Sequence, residues 1–343
     1  MTSNETTKIS QLISDRKKTV LITHANPDGD AVGSLLSMFA YLKKKEVEVE
    51  AILPDTIPSF YRWLECSDCA CTADRDRKKC EVLLENAELI FCLDFNAFGR
   101  AGDLESKLKN SSAIKVLVDH HPEPSAGFDY IISDTTVSST AELVYRLIEA
   151  LGDKKLVDKP IAEAIYTGIM TDTGSFNFNS ENPEMYEVIR FLVEKGVEPA
   201  LIHQRVYDTF SESRMRLIGH CLLNKMVVMK DSHAAYIALS RKDMNDYNYR
   251  KGDTEGLVNY PLAIDGVVFA ALFTEQDNLI KASFRSKGDF KANEFSLDHF
   301  HGGGHKNAAG GKSFKSLEET IEEFEKLVSK KYKTRLQDAK KKI

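Results

Sequence analysis

Ile114-Lys115-Val116-Leu117-Val118-Asp119-His120-His121 is the stretch on which the fold turns, a short β-rich run that stops at an acid and two histidines. The same grammar recurs. Thr19-Val20-Leu21-Ile22-Thr23 leads into His24-Ala25-Asn26-Pro27-Asp28-Gly29-Asp30, and Leu89-Ile90-Phe91-Cys92-Leu93 leads into Asp94. A helical pattern from Ile161 to Met170 runs into Thr171-Asp172-Thr173-Gly174. Runs without polar alternation read as strands buried on both faces, as in a parallel sheet. Such sheets place ligands outside the carboxyl ends of their strands. The expectation is therefore that His24, Asp94 and Asp119 share one sheet edge.

Asp28, Asp30, Asp94 and Asp119 gathered there would repel, since two unit charges ~4 Å apart cost about 4 kcal/mol at an effective dielectric near 20. Divalent cations would remove that cost. Carboxylate and imidazole donors without thiolate suit Mn²⁺, Mg²⁺ or Fe²⁺ better than a structural zinc, which favours cysteine. A donor set this large is read as serving two ions, roughly 3.5–4 Å apart as in two-metal hydrolytic sites. Such a pair fits phosphoryl chemistry, lowering the pKa of an attacking water and neutralising charge on the phosphate oxygens.

The motifs His24-x-Asn26-Pro27-Asp28-x-Asp30, Asp94, Asp119-His120-His121, Asp172 and Gly302-Gly303-Gly304-His305 stand in order along the chain. Together they resemble the DHH phosphoesterases that carry a C-terminal DHHA1 domain, from about Thr19 to Phe314. The compact two-domain form is similar to the bacterial nanoRNases, which cleave short oligoribonucleotides and remove the 3′-phosphate of 3′-phosphoadenosine 5′-phosphate. The resemblance implies that His24, Asp28 and Asp94 hold one metal, and that Asp30, Asp94, His120 and Asp172 hold the other, with Asp94 bridging. It implies two Mn²⁺ ions, a phosphate or leaving-group contact by His121, and a supporting role for Asp119 in orienting a ligand histidine.

The implied fold is α/β. A parallel-sheet DHH domain over residues 1–200 is joined by a helical connector, 201–224, to a smaller α/β DHHA1 domain over 225–343. Asp30 opens the first helix, on which Val32, Leu35, Leu36, Phe39 and Leu42 recur at helical spacing. The order from Thr19 to Lys195 reads strand, helix, strand, loop, strand, strand, then helices. Ser139-Thr140-Ala141-Glu142 reads as a capping box, a sufficient explanation for residues that the resemblance would also set near substrate. Beyond the connector, strands are expected at 226–229, 234–239, 266–273 and 279–286, and an amphipathic helix at 317–330. Lys340, Lys341 and Lys342 read as a frayed, solvated tail.

Gly302-Gly303-Gly304 beside His305 has two readings, a flexible turn or a small-residue surface whose amides approach a phosphate or base closely. Arg285 is the expected phosphate partner because its planar fork takes oxygens in pairs. The candidate substrate contacts are Arg285, His305, Gly303, Gly304 and Asn307. His203, His220 and His233 lie outside every motif and are assigned to packing or surface, as are Phe176 and Phe178 to the core.

Composition limits the alternatives. A chain of 343 residues with 42% hydrophobic content supports two cores. No apolar run approaches the ~18 residues of a spanning helix. The polar start, Met1 to Glu5, lacks a signal core, so a cytoplasmic protein with no membrane partner is expected. A net charge of −6 argues against affinity for long duplex nucleic acid, which relies on many Lys and Arg contacts to phosphate. A short RNA or small nucleotide remains compatible. Cys66, Cys69, Cys71 and Cys80 could form a second metal site, but free thiols are the simpler reading. Cyclic-di-AMP or linear di-adenylate hydrolysis is the rival activity, and a nucleotide sensor the non-enzymatic one.

Overall fold

The computed structural model describes residues 3–15, 18–250 and 252–342, so Met1 and Thr2 of the polar start lie outside the described residues. The chain divides into two compact units, Met1–Thr209 and Phe210–Ile343. In the first, the order is α1 (Ser3–Ser14), β1 (Thr19–Ile22), α2 (Gly29–Lys44), β2 (Val49–Leu53), β3 (Cys71–Thr72), α3 (Ala73–Asn86), β4 (Leu89–Leu93), α4 (Glu105–Asn110), β5 (Ile114–Asp119), β6 (Tyr130–Ser133), α5 (Thr140–Ala150), α6 (Lys159–Asp172), α7 (Pro183–Glu194) and α8 (Pro199–Tyr207).

The six strands form one parallel sheet in the order β3-β2-β1-β4-β5-β6. Its central strands are apolar at successive positions because both faces are covered. Leu21, Phe91, Leu93, Val116 and Val118 pack into one core with α2, α5 and α6. Val20, Ile22, Ile90, Cys92 and Leu117 pack into the opposite one, with Leu84 of α3 and Leu108 of α4. The strand order reverses between β1 and β4, the place where open α/β sheets form a crevice. His24 follows β1 there, and Asp94 follows β4.

Small residues let α2 and α6 approach closely. A Cβ on Gly33 would stand 2.4 Å from the Ala164 carbonyl oxygen, and one on Gly168 would stand 2.4 Å from Ala141 Cβ and 2.9 Å from Asp30 Oδ1. Glycine inside a helix costs roughly 0.5–1 kcal/mol relative to alanine, so this contact is made against local propensity. It brings Asp30 of α2 and Asp172 of α6 to one end of the crossing.

The second unit runs α9 (Glu212–His220), β7 (Met226–Met229), β8 (Ala234–Leu239), α10 (Arg241–Asp246), α11 (Asn259–Leu262), β9 (Phe269–Glu275), β10 (Ile280–Ser286), α12 (Ala292–His299), β11 (Gly303–His305), β12 (Ala308–Ser313), α13 (Leu317–Lys326) and α14 (Lys333–Lys341). Its sheet, β11-β12-β10-β9-β8-β7, is antiparallel except for the parallel β8 and β9 pair. Phe269, Phe273, Phe284, Phe295, Phe300 and Phe324 fill the core on one face. Ala270 and Leu272 lie in a smaller core on the other.

Several expectations need correction. The loop expected after β2 contains α3, a helix whose charged surface hides its period because Cys80 and Leu84 are the residues it buries. The glycine run is no flexible turn: Gly303–His305 is a strand paired with β12. Lys340 and Lys341 close α14, whose Leu336 and Ala339 are buried, and Lys340 and Lys342 pair with Asp265 and Asp289. Phe176 packs against the core while Phe178 is exposed. Ser139 caps α5 by accepting from the Glu142 amide, but the Glu142 carboxylate returns to Ser138 rather than to Ser139. The cysteine cluster, by contrast, follows the free-thiol reading: among the described residues no three of the four converge as metal ligands, and Cys71 and Cys80 form a thiol contact at 2.8 Å.

Gly168→Ala tests the crossing. Overpacking of this kind costs about 1–3 kcal/mol, so the variant should unfold at lower denaturant. Its affinity for added Mn²⁺ should fall as well, because the added methyl meets Asp30. Unchanged stability and metal affinity in parallel titrations would contradict the close packing.

Candidate metal centre

Strand ends and helix ends set the site. β4 and β5 run in register through Leu93 and Val118, and the Asp94 amide donates to the Val118 carbonyl at 3.0 Å. Asp94 has φ of +66°, a left-handed conformation that asparagine and aspartate adopt more readily than most residues. Its carboxylate is 2% exposed and faces two ways. Oδ2 lies 3.3 Å from His24 Nε2, and Oδ1 lies 3.7 Å from His120 Nε2.

His24, Asp28 and Asp94 form one group of mutually close donor atoms, and Asp30, His120 and Asp172 form a second. His120 Nε2 stands 3.7 Å from Asp30 Oδ2 and 3.6 Å from Asp172 Oδ2. These separations exceed hydrogen-bond lengths and suit ligands around a shared cation. His24 gives the clearest fit. Its Nδ1 lies 2.9 Å from the Ala25 carbonyl oxygen, which only accepts, so Nδ1 carries the proton. Nε2 is then buried without a hydrogen-bond partner and faces carboxylates. No lysine or arginine among the described residues pairs with Asp28, Asp30, Asp94, Asp119 or Asp172. Buried charge of one sign without a counterion is expensive, and the donor set fits divalent cations.

The amino terminus of α5 supports both groups. Thr140 and Ala141 amides donate to Asp30 Oδ2 and Oδ1 at 2.7 and 2.8 Å, and the Thr140 hydroxyl donates to Asp94 Oδ1 at 2.9 Å. A helix amino terminus is suited to this because its free amides and dipole favour anions. Thr140 was missed in the sequence because the cap explained the segment locally; the hydroxyl's contact is 46 residues away in the chain. Asp28 caps α2 in the same way, its Oδ1 accepting from the Asp30 and Ala31 amides.

Asp119 meets a different histidine from the one expected. Its Oδ1 lies 2.7 Å from His121 Nδ1, so it orients His121, the expected phosphate contact, rather than His120, the expected metal ligand. His121 Nε2 lies 2.9 Å from Arg100 Nη1. A guanidinium only donates, so His121 stands here as the neutral Nδ1–H tautomer. Arg100 was also missed, since it follows Asp94 in a segment without apolar period.

In the second unit, Arg285 is paired across the sheet with Ala308, and Ala308 with His305. Arg285, Ala308 and His305 thus share one sheet face, and Ser283, Gly310 and Gly303 form the next row of it. The row is lined by small residues, leaving backbone accessible. Gly304 has φ of +140°, and a Cβ there would meet the Ala308 carbonyl oxygen at 2.5 Å, so glycine is required. Asn307 serves the turn: its Nδ2 contacts Ser286 Oγ, Gly288 O and Phe290 O. His220 contacts Asp243, and His233 the Gly266 carbonyl.

Comparison with known proteins agrees with this architecture. Residues 18–169 match the DHH family, N-terminal domain, and residues 231–334 match the DHHA1 domain. The chain belongs to the DHH family, in the form that carries a C-terminal DHHA1 domain. It is 38% identical to an exopolyphosphatase-related protein from Bacteroides fragilis, with a TM-score of 0.92 and 98% of each chain covered. It is 29% identical over 299 residues to the bifunctional oligoribonuclease and PAP phosphatase NrnA of Thermus thermophilus, covering 84% of this chain and 82% of that one. For the Bacillus subtilis protein of the same name the identity is 26% over 308 residues, covering 89% and 92%.

Asp94→Ala removes a carboxylate that belongs to the first group and stands 3.7 Å from His120 of the second. Metal bound per chain, measured by mass spectrometry after desalting, should fall sharply, and turnover with it by far more than tenfold. Full metal retention would contradict a bridging role.

Protons and metal compete for these groups. Burial first, then the carboxylates around it, pushes Asp172 up to about 6, against a lowering by His120. Burial and Asp94, Asp172 and Asp28 push Asp30 well above the usual carboxylate range. Burial raises Asp94 too, but the neighbouring imidazoles, His24 foremost and then His121 and His120, outweigh it and hold Asp94 below that range. For Asp172 the folded chain holds the proton more tightly than the unfolded one. Its contribution is complete below the ordinary carboxylate pKa and is lost as pH rises through about 6. Asp30 extends that loss upward. The metal-free protein should therefore weaken over this window while metal affinity grows. The difference in Tm between Mn²⁺-loaded and chelated protein should widen from about pH 5 to 7; a constant difference would contradict the assignment.

Proposed function

We propose that this chain is a metal-dependent phosphoesterase that hydrolyses short oligoribonucleotides and the 3′-phosphate of 3′-phosphoadenosine 5′-phosphate. The single observation that carries the reading is the pair of carboxylate and imidazole groups joined through Asp94. The curated relatives named for both activities match over most of the chain, and the donor chemistry suits such a reaction. Two divalent ions, Mn²⁺ by donor type, would be held by His24, Asp28 and Asp94 and by Asp30, Asp94, His120 and Asp172. When bound, they would lower the pKa of an attacking water and draw charge from the phosphoryl oxygens.

The chain's own residues position and transfer protons. The α5 amino terminus holds Asp30 and Asp94 in place, so the donors need little reorganisation when substrate arrives. Asp119 fixes the His121 ring through Nδ1, which directs Nε2 at the reacting phosphate ester. Protonated there, His121 would hand a proton to the leaving oxygen. Asp28 is the most exposed of the metal-group carboxylates, at 54%, and marks the solvent side of its group.

Substrate choice rests with the second unit in this reading. Arg285 would take a phosphate by its fork, while His305 and the Gly303 and Gly304 backbone would receive a base or sugar. A negatively charged chain without a long basic stripe suits short substrates rather than duplex nucleic acid. No helix among the described residues is long and apolar enough to cross a membrane, and six free cysteines suit action in a reducing cytoplasm.

Turnover on di- to pentaribonucleotides, 3′-phosphoadenosine 5′-phosphate, cyclic-di-AMP, polyphosphate and long single-stranded DNA tests this. The first two should be the best substrates; preference for cyclic-di-AMP or polyphosphate would replace the reading. Arg285→Ala should lower kcat/KM on dinucleotides by roughly 10- to 150-fold, the loss of a charge-assisted contact, with metal content unchanged. Hydrolysis of bis-p-nitrophenyl phosphate should fall much less. Equal losses on both would move Arg285 into the chemical step.

A further inference from the structure

Arg100 lies outside the metal-ligand set and outside the substrate residues named above, yet the fold holds both of its ends at the centre. Its carbonyl accepts from the Ala25 amide at 2.7 Å, which ties it to the loop that carries His24. Its Nη1 reaches His121 Nε2 at 2.9 Å. That imidazole is in turn 3.7 Å from Asp94 Oδ1, so the guanidinium stands one ring away from the bridging carboxylate.

The charge of Arg100 has no carboxylate partner among the described residues, although five acidic side chains surround the centre. An arginine placed for stability alone would be expected to pair with one of them. Here it is partly exposed and bonded to a neutral ring. One N–H of the five in a guanidinium makes that contact, which leaves the rest of the fork for another acceptor. Planar paired donors match the oxygens of a phosphate, and a phosphate contact is worth most where the site is largely desolvated.

We propose that Arg100 is a substrate-binding residue whose fork moves from His121 Nε2 onto two non-bridging oxygens of the reacting phosphate. This rests on the phosphoesterase reading and adds to it a first-unit anion contact independent of Arg285. A guanidinium cannot accept a hydrogen bond, so His121 cannot present an Nε2 proton while Nη1 occupies that position. Movement of the fork from the ring onto the phosphate would release Nε2 for the leaving oxygen.

The test uses the full chain loaded with Mn²⁺ and inorganic phosphate as the probe, with binding read by calorimetry and turnover read separately. Arg100→Met should weaken phosphate binding about 10-fold or more, at unchanged metal content. Arg100→Lys, which keeps the charge and loses the fork, should fall between Met and wild type. Phosphate affinity within about threefold of wild type in Arg100→Met would overturn the contact, and so would a loss of turnover with phosphate affinity intact. Should Arg100→Met fail to fold, Arg100→Lys decides alone, because wild-type phosphate affinity in it would exclude binding by the fork. Wild-type protein that binds phosphate through Arg100 yet hydrolyses none of the nucleotide substrates would count against the proposed reaction instead.

Discussion

Five carboxylates stand at one end of a parallel sheet, four of them close enough to His24 or His120 to act with it, and no lysine or arginine among the described residues pairs with any. That concentration of negative charge is the constraint on which the first unit depends. Several features of the fold reduce its cost: the amino terminus of α5 gives amides to Asp30 and a hydroxyl to Asp94, and α2 gives amides to Asp28. What remains calls for cations. The close contact of α2 and α6 through Gly33 and Gly168 follows from the same requirement, because larger residues would separate Asp30 from Asp172.

The strand ends were legible because a parallel sheet leaves a strong mark. A strand with both faces covered is apolar along most of its length, so the first acid or histidine after Val118, Leu93 or Ile22 stands out against it. Helix α2 was equally plain from its spaced leucines. What escaped notice has a different signature. Thr140 and Arg100 act on residues far along the chain, and neither breaks a pattern locally. Helix α3 hid behind Asp74, Arg75, Asp76, Arg77, Lys78 and Lys79, a charged run with few buried residues to reveal its period.

The glycine run shows how local sequence can be read twice. Three glycines suggest freedom, but Gly304 is held at φ of +140° against Ala308, and Gly302 has no space for a side chain beside Gly310 and Ser296. Their function in the fold is close approach rather than mobility. The register that places Arg285, Ala308 and His305 in one row is set by long-range pairing, which no local motif encodes. The same holds for the carboxyl-terminal lysines. Their charge suggested solvation, while Leu336 and Ala339 anchor the helix that carries them.

The central claim is that Asp94 joins two metal ions. It is tested most directly by an anomalous scattering map from a crystal grown with Mn²⁺. The account predicts two peaks, one about 2.1 Å from His24 Nε2 and from Asp94 Oδ2, the other at similar distance from His120 Nε2 and Asp94 Oδ1. A single peak, or peaks that leave Asp94 outside ligand distance, would contradict it.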